Sequence, residues 1–421
     1  MSELAISPLR HGFAVSLELP GSKSITNRYL LLAALASGTT SLSRLLVADD
    51  VEAMLDCIRA LGAAVDLNAD RTTARVLGTG GTPAKAGLAN ARQSGTTARF
   101  IAPILALSEG PWELDGAAQL RARPMEDLFN ALERLGARVE ASGAASSLPA
   151  VIRGPIANGA VTISGSVSSQ FLSGLLLAAP LVDNGLEIEV EGALVSRPYV
   201  DMTIEAIRRF GASVTEDHNR FVVAGTGYQS CDLDIEPDAS SASYFFGAAA
   251  ALGGTVRVNG LGTASLQGDL AFVDVLEAMG ARVLRGANFT EVSGQGTLHG
   301  IDVDMSGLSD TVPTLGVIAA LADGPTRISG VGFIRKKESD RIAGVVTELR
   351  RCGVDAVEEA DGMVIHPGGA HGAAVRTYED HRMAMAFSIL GLAVDGVVIE
   401  DPSCVDKTFP TFFEVLGELR V

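Results

Sequence analysis

Six copies of one short pattern divide this chain into units of similar length. Each copy is the apolar end of a helix, then glycine, and then usually a small residue and valine; the glycines are Gly62, Gly136, Gly211, Gly280, Gly353 and Gly417. Successive glycines lie 64 to 75 residues apart. Recurrence at a nearly fixed length is typical of repeated supersecondary units. Residues that break the pattern at equivalent positions are therefore candidates for chemistry.

The apolar residues of each unit predict two helices and several strands. In the second helix of the first unit, Met54, Leu55, Ile58 and Leu61 follow the i, i+3, i+4, i+7 spacing of one buried helical face. The repeated glycine is expected to end that helix, and a valine-containing strand follows. The pattern predicts a βαβαββ-like unit, and six of these units make an α/β protein.

The first helix of each unit begins with residues that favour helix N-caps and then becomes almost wholly apolar. The segments begin at Gly21, Ser94, Gly165, Asp238, Ser309 and Asp380. Such helices are expected to be buried, so their first N–H groups need partners. Capping by Ser, Thr or Asp is the simpler explanation for any single helix. If all six N-termini face a common space, however, their dipoles predict an anion-binding site.

The six units are expected to form two domains of three. We predict an N-terminal domain at 20–235 and a C-terminal domain at 236–421 plus 1–19. The chain would cross between them near Leu19–Pro20 and near Ile235–Asp238, where proline and turn residues cluster. The alternating AVSLEL before the first crossing predicts a strand that completes a sheet of the C-terminal domain.

Charge and composition exclude several classes of protein. Fifty acidic and thirty-three basic residues give a net charge of −17, which disfavours binding to nucleic acid or to an anionic membrane. The four cysteines form no CxxC and the six histidines have no metal-binding spacing. No apolar run reaches membrane-spanning length. We therefore expect a cytoplasmic protein, a monomer, without metal or cofactor.

Basic residues concentrate where the units depart from the repeat: Lys23, Arg28, Arg99, Arg123, Lys337, Arg341, Arg382 and Lys407. If 337–341 is helical, Lys337 and Arg341 lie on one face, where like charges repel unless an anion or Glu338 and Asp340 offset them. A solvated, salt-bridged face is the alternative for this segment. For Arg123–Pro124 the alternative is a helix start with proline at its first position.

Candidate acids and bases are few. They are Asp310, Glu338, Asp340 and His381 beside Asp380. Asp310 could instead be a helix N-cap. Two carboxylates in different environments can divide the work of proton transfer.

Nine segments together resemble a known family. They are PGSKSITNR (20–28), SGTTARF (94–100), RPM (123–125), SGSVSSQF (164–171), SRPY (196–199), DASSASY (238–244), KESDRI (337–342), EDHRMAMA (379–386) and DPSCVDKTFP (401–410). In this order they are similar to the 5-enolpyruvylshikimate-3-phosphate synthase family. The resemblance implies a two-domain inside-out α/β barrel of six units, with helix N-termini facing the interdomain cleft. It also implies transfer of the enolpyruvyl group of phosphoenolpyruvate to the 5-hydroxyl of shikimate 3-phosphate, with release of phosphate.

The resemblance further implies roles for individual residues. The contacts to shikimate 3-phosphate would be Lys23, Ser24, Arg28, Ser168, Ser169, Gln170, Ser196 and Tyr199, with Lys23 shared with phosphoenolpyruvate. The phosphoenolpyruvate pocket would comprise Gly95, Thr96, Arg123, Arg341, Arg382 and Lys407. Asp310 would be the base at the 5-hydroxyl and Glu338 the acid at the carbon, with Lys23 also catalytic. Lys337 would flank the reacting centre, and His381 would join the substrate contacts.

Two residues depart from the family pattern, and one glycine predicts sensitivity to a substrate mimic. Gln93 stands where the family often has asparagine, and Phe333 where it often has a polar residue, so substrate hydrogen bonds there are not expected from the family pattern. Gly95 would leave room for phosphoenolpyruvate and for mimics such as glyphosate, and alanine there is expected to crowd both.

Two other functions are compatible with six repeats. The related enolpyruvyl transferase that acts on UDP-N-acetylglucosamine has a different first motif and uses a loop cysteine, whereas residues 58–230 here contain no cysteine. A non-enzymatic six-repeat clamp on DNA would need basic residues on all its inner helices. Three of the six first helices have none in their opening motif.

Overall fold

The computed structural model describes residues 3–144, 146–157 and 159–420. Its helices, within these residues, are α1 (Lys23–Leu35), α2 (Asp49–Ala60), α3 (Gly95–Leu105), α4 (Ala118–Arg121), α5 (Glu126–Arg134), α6 (Ser169–Ala178), α7 (Arg197–Arg209), α8 (Ala239–Leu252), α9 (Phe272–Ala278), α10 (Val312–Ala319), α11 (Arg341–Arg351), α12 (His381–Ala393) and α13 (Phe412–Gly417).

The strands of the same residues are β1 (Glu3–Ala5), β2 (Ala14–Leu17), β3 (Thr39–Ser43), β4 (Ala64–Leu67), β5 (Thr73–Leu77), β6 (Gly87–Asn90), β7 (Trp112–Asp115), β8 (Arg138–Ala141), β9 (Ala150–Arg153), β10 (Gly159–Ser164), β11 (Leu186–Glu191), β12 (Val214–Asp217), β13 (Arg220–Val223), β14 (Leu233–Asp234), β15 (Thr255–Asn259), β16 (Arg282–Arg285), β17 (Phe289–Ser293), β18 (Asp302–Asp304), β19 (Thr326–Ser329), β20 (Asp355–Glu359), β21 (Gly362–His366), β22 (Ala374–Val375) and β23 (Val398–Glu400).

The chain divides into two compact halves, each larger than a single repeated unit. The first half is Gly21–Ile235; the second half joins the N-terminal residues up to Pro20 to the chain from Glu236 onwards. The assignment of a substrate to each domain stays a prediction.

The repeated motif appears as a small four-stranded sheet with two helices. In β6–α3–β7–α5–β8–β9, for example, β6 pairs in parallel with β7, and β9 pairs antiparallel with both β7 and β8. The same order recurs in β10-β11-β13-β12 and in β18-β19-β21-β20. Side chains of β5 alternate between exposed and buried, because one sheet face packs on the helices and the other faces water.

Two units take their first strand from a distant part of the chain. The predicted strand before the first crossing is β2, which pairs in parallel with β15. Correspondingly, β14 pairs in parallel with β3. The last unit also differs, because its three-stranded sheet combines β22 and β23 with the N-terminal β1.

The first helix of each unit is buried along nearly its whole length. Ile25 to Leu35 of α1 and every residue of α3 are buried, for example. Side-chain caps begin five of these helices, at Ser22, Ser94, Ser168, Asp238 and Asp380. The helix α10 differs, because its N-cap Thr311 makes no side-chain cap hydrogen bond.

The repeated glycine ends the second helix in five units. These glycines have φ between +81° and +104°, as at Gly353 and Gly280, and this left-handed backbone carries no Cβ penalty in glycine. The prediction is wrong for Gly417, which is the last residue of α13 and has no positive φ. No strand follows it in the described chain, so no reversal is required there.

Within the described residues, no helix combines the length and the apolar character needed to cross a membrane.

Candidate active site

In the first half, Gly21–Ile235, Lys23 at the start of α1 is fixed by an acid of α2. The hydroxyl of Ser22 accepts the N–H of Ile25 at 3.5 Å and begins the helix. The Nζ of Lys23 lies 3.3 Å from Oδ2 of Asp50, whose side chain is 3% exposed. Sequence reasoning missed Asp50, because consecutive acids at a helix start are explained by the helix dipole alone.

Arg28 lies one turn further along α1 and is held by neutral oxygens. Its guanidinium donates to Oγ1 of Thr203 at 2.8 Å and to the carbonyl oxygens of Ser24 and Tyr199 at 2.9 Å each. Burial lowers the pKa of Arg28 to about 10. The side chain thus ties α1 to the start of α7 and brings a buried positive charge to this region.

Gln170 lies at the centre of a second group, formed by α3 and α6. Its Oε1 accepts from Nη1 of Arg99 at 2.6 Å, and its Nε2 donates to Oγ1 of Thr96 at 3.1 Å. Arg99 also donates to the carbonyl oxygen of Pro124 at 3.3 Å. The cation sets the orientation of the amide, since only the amide oxygen can accept from it. Arg99 therefore acts on the predicted contact Gln170, a role that its motif alone did not reveal.

Arg123 lies over the first residue of α3. A Cβ added to Gly95 would lie 2.6 Å from Nη1 of Arg123. Arg123 is 7% exposed. The alternative of a helix start at Arg123–Pro124 is wrong, because α5 begins at Glu126 with Met125 as its N-cap.

The predicted serine contacts lie at helix starts. Oγ of Ser168 caps α6 by accepting the N–H of Gln170 at 3.3 Å, and Ser169 is the first residue of that helix. Ser196 is the N-cap of α7 and adopts a left-handed φ of +51°. The N–H of Tyr199 donates to the carbonyl oxygen of Ser196 at 3.1 Å. Helix N-termini that carry serine hydroxyl groups suit phosphate recognition.

In the second half, which includes the chain from Glu236 onwards, Arg341 contacts three carboxylates. Its Nε lies 2.9 Å from Oδ2 of Asp380, its Nη1 3.1 Å from Oδ1 of Asp310, and its Nη2 2.8 Å from Oε2 of Glu338. The guanidinium is 1% exposed. Burial alone would lower the pKa of Arg341, but Asp380, Glu338 and Asp310 together raise it above its ordinary value. The two predicted acid–base residues thus share one guanidinium.

Asp310 also contacts two further cations. Its Oδ2 accepts from Nη2 of Arg382 at 2.6 Å, and Nζ of Lys337 lies 3.9 Å from its Oδ1. The alternative of Asp310 as an N-cap is wrong, since Thr311 occupies that position in α10. Nη1 of Arg382 reaches the hydroxyl of Tyr244 at 3.4 Å. Burial raises the pKa of Tyr244 to about 12, so this hydroxyl stays neutral.

The segment 337–341 is not one helix. Asp340 is the N-cap of α11, which begins at Arg341, while Lys337 directly follows the 3₁₀ turn Gly332–Lys336. The predicted spacing on one helical face is therefore wrong, and the two cations converge on Asp310 instead. The Nζ of Lys337 also lies 5.9 Å from the ring centre of Phe333, so this departure from the family pattern packs against a predicted site residue.

The remaining predicted residues of the second half are buried in or next to α12. His381 is 1% exposed, and its Nδ1 lies 3.7 Å from Oδ1 of Asp380. Lys407 is 7% exposed at the end of the 3₁₀ turn Pro402–Lys407, which packs on α12. Each of the two halves therefore has buried cations close to the starts of its buried helices.

Comparisons with known proteins show the family of this chain. The model of the family described as EPSP synthase (3-phosphoshikimate 1-carboxyvinyltransferase) matches residues 12–416. The chain belongs to the EPSP synthase family. A 3-phosphoshikimate 1-carboxyvinyltransferase of Trichormus variabilis is 47% identical, covering 99% of this chain and all of the relative. One of a Nostoc species is also 47% identical, covering 98% of each chain.

Solved structures of EPSP synthases have the same fold. A structure of the EPSP synthase of Acinetobacter baumannii aligns with a TM-score of 0.83 and 27% identity, covering 99% of this chain and 98% of that one. The family, the inside-out α/β fold class, the enzyme class and the function predicted from the sequence are confirmed. The UDP-N-acetylglucosamine transferase and the clamp are not favoured.

Proposed function

We propose that the two clusters of side chains perform the EPSP synthase reaction of this chain. The observation that carries the assignment is the placement of Asp310 and Glu338 on one buried guanidinium, with Arg382 and Lys337 beside Asp310. Both carboxylates needed for proton transfer are thus held together, and cations for an anionic substrate adjoin them.

Shikimate 3-phosphate is assigned to the part of the chain from Gly21 to Ile235. Ser168, Ser169 and Ser196 would hold its phosphate at the starts of α6 and α7, where N–H groups and helix dipoles favour anions. Lys23, Ser24, Arg28, Gln170 and Tyr199 would orient the rest of the molecule. The hydrogen bonds of Arg28 and Gln170 to protein groups support this assignment, because they fix both side chains in place.

Phosphoenolpyruvate is assigned to Gly95, Thr96, Arg123, Arg341, Arg382 and Lys407, with Lys23 shared. Arginine forks suit carboxylate and phosphate, which both accept two parallel hydrogen bonds. The three acids around Arg341 offset part of the positive charge. The substrate's anion would therefore share Arg341 and Arg382 with Asp310.

The reaction needs proton transfer in both directions. Glu338 would protonate the methylene carbon of phosphoenolpyruvate, and the 5-hydroxyl would add to the adjacent carbon as Asp310 takes its proton. A methyl proton and phosphate are then lost, restoring the vinyl group on the new ether. The contacts of Asp310 with Arg341, Arg382 and Lys337 fix the position of its carboxylate, as a general base requires. His381 and Lys337 would stabilise the charge that develops.

The proposal includes a cytoplasmic monomer that uses no metal or cofactor. The cysteines of the described chain are free thiols, as a reducing compartment requires. Light scattering on the purified protein tests the oligomeric state.

Phosphate release from phosphoenolpyruvate with each acceptor tests the function. We expect release with shikimate 3-phosphate and background release with UDP-N-acetylglucosamine or with no acceptor. Release with the nucleotide sugar alone would overturn the proposal.

A further inference from the structure

The segment that leads into α12 is strained. We call residues 376–380 the strap; it joins β22 to α12. Tyr378 and Glu379 have φ of +56° and +55°, a left-handed conformation that side chains other than glycine disfavour. Two consecutive residues of this kind persist only where surrounding contacts hold them. The strap ends at Asp380, whose Oδ1 accepts the N–H of Arg382 at 3.0 Å.

A buried acid of α11 holds the middle of the strap. Glu348 is fully buried, and its Oε1 accepts from the hydroxyl of Tyr378 at 2.6 Å. Its Oε2 accepts the backbone N–H of Arg376 at 3.1 Å and lies 3.6 Å from Nε of Arg351. The side chain of Tyr378 is itself exposed, so its hydroxyl, rather than burial of the ring, anchors it.

The same helix holds the end of the strap. Arg341 contacts Asp380 and precedes Glu348 by seven residues, which is two helical turns, or about 10.5 Å along the axis. Residues seven apart lie on one helical face. One face of α11 therefore contacts the strap at two places, through Glu348 and through Arg341. Asp380 in turn accepts the N–H of Arg382, whose guanidinium donates to Asp310, so the position of the strap determines where Arg382 lies.

We propose that Glu348 and Tyr378 are positioning residues that hold the strap in its left-handed conformation and so place Arg382 for phosphoenolpyruvate. Neither touches the substrate. The inference rests on the proposed function, since it requires that Arg382 binds phosphoenolpyruvate.

The test compares Tyr378→Phe and Glu348→Gln with wild type by steady-state kinetics. We expect each to raise KM for phosphoenolpyruvate three- to tenfold and to leave KM for shikimate 3-phosphate unchanged. Tyr378→Phe removes only a hydroxyl from an exposed side chain, so it keeps the test valid if Glu348→Gln fails to fold. Glu348→Gln leaves one acceptor oxygen for two donors, the hydroxyl of Tyr378 and the N–H of Arg376, so the effects of the two single changes should not be additive in the double variant.

Tyr228→Phe is the matched control. The hydroxyl of Tyr228 donates to the carbonyl oxygen of Leu177 at 2.8 Å, and neither residue belongs to the part of the chain that contains the strap, so its loss should lower Tm without changing either KM. A merely structural role of Tyr378 would likewise lower the folded fraction and kcat while leaving both KM values unchanged, and that result overturns the inference.

A third variant, Arg382→Lys, separates the inference from the function on which it rests. If it raises KM for phosphoenolpyruvate while the strap variants do not, the inference fails and the proposed function stands. If it also leaves that KM unchanged, the assignment of Arg382 fails, and the inference fails with it.

Discussion

Gly95 begins α3 where a side chain would collide with Arg123. Because the added Cβ would lie 2.6 Å from Nη1 of Arg123, Gly95→Ala must displace the guanidinium. We expect KM for phosphoenolpyruvate to rise about tenfold, which corresponds to about 1.4 kcal/mol, and inhibition by glyphosate to weaken. Gly159→Ala is the control, since its Cβ would meet open space. Unchanged KM and inhibition in Gly95→Ala would contradict the assignment of Arg123.

Arg99 should act on the substrate through Gln170. Hydrogen bonds to charged groups contribute about 1.5–3 kcal/mol, so Arg99→Met is expected to raise KM for shikimate 3-phosphate by about 10- to 100-fold. The double variant with Gln170→Ala should be no worse than Gln170→Ala alone, as measured by a double-mutant cycle. Fully additive effects would show that Arg99 acts independently of Gln170.

At the residue scale, the sequence predicts which side chains are chemically suited but not their partners. Cap residues and clustered cations are visible in local motifs, and most of them lie at buried helix starts as expected. The partners are remote in sequence: Arg28 and Tyr199 are 171 positions apart. Asp50 was missed as a site residue, and the hydrogen bond from Arg99 to Gln170 was not foreseen, because contacts between helices depend on how the sheets and helices pack.

The start of α12 depends on Asp380, and this makes its stability dependent on pH. Burial would raise the pKa of Asp380, but attraction to Arg341 outweighs it and holds the pKa below the ordinary 3.8. The folded state therefore binds this proton less readily than the unfolded state does. Its contribution is fully present above about pH 4 and is lost as the pH falls through the lower folded value.

Asp380→Asn tests this account. Leaving Arg341 without this buried partner is expected to cost about 3–5 kcal/mol at pH 7, measured by urea unfolding. Because the variant lacks the titrating group, its stability should fall less between pH 5 and pH 3 than that of wild type. An equal fall in both proteins would contradict the role of Asp380.

At the element scale, periodicity predicts helices well because burial imposes it directly. Met54, Leu55 and Ile58 of α2 are buried as their spacing predicts. Local patterns fail where tertiary contacts override them: 337–341 bends at Asp340 because that side chain caps α11. Gly417 keeps the repeat's sequence without its conformation, since no strand follows it in the residues that the structure describes.

At the scale of the whole molecule, each of the two halves has its own core, and the single tryptophan lies in the first half. Leu17 of β2 and Leu31 of α1 are both fully buried, in different halves. Replacing either by alanine should cost about 2–5 kcal/mol. Because Trp112 lies in Gly21–Ile235, its fluorescence transition should shift in Leu31→Ala and not in Leu17→Ala, while circular dichroism should detect both losses. Equal shifts of the fluorescence transition in Leu31→Ala and Leu17→Ala would show that the two halves unfold as one.

The most direct measurement of the account is the rate of phosphate release by Asp310→Asn with both substrates saturating. Asp310 is the proposed base at the 5-hydroxyl and is held by Arg341 and Arg382, so the folded variant should lose at least about 100-fold in kcat. A kcat within about tenfold of wild type would contradict it.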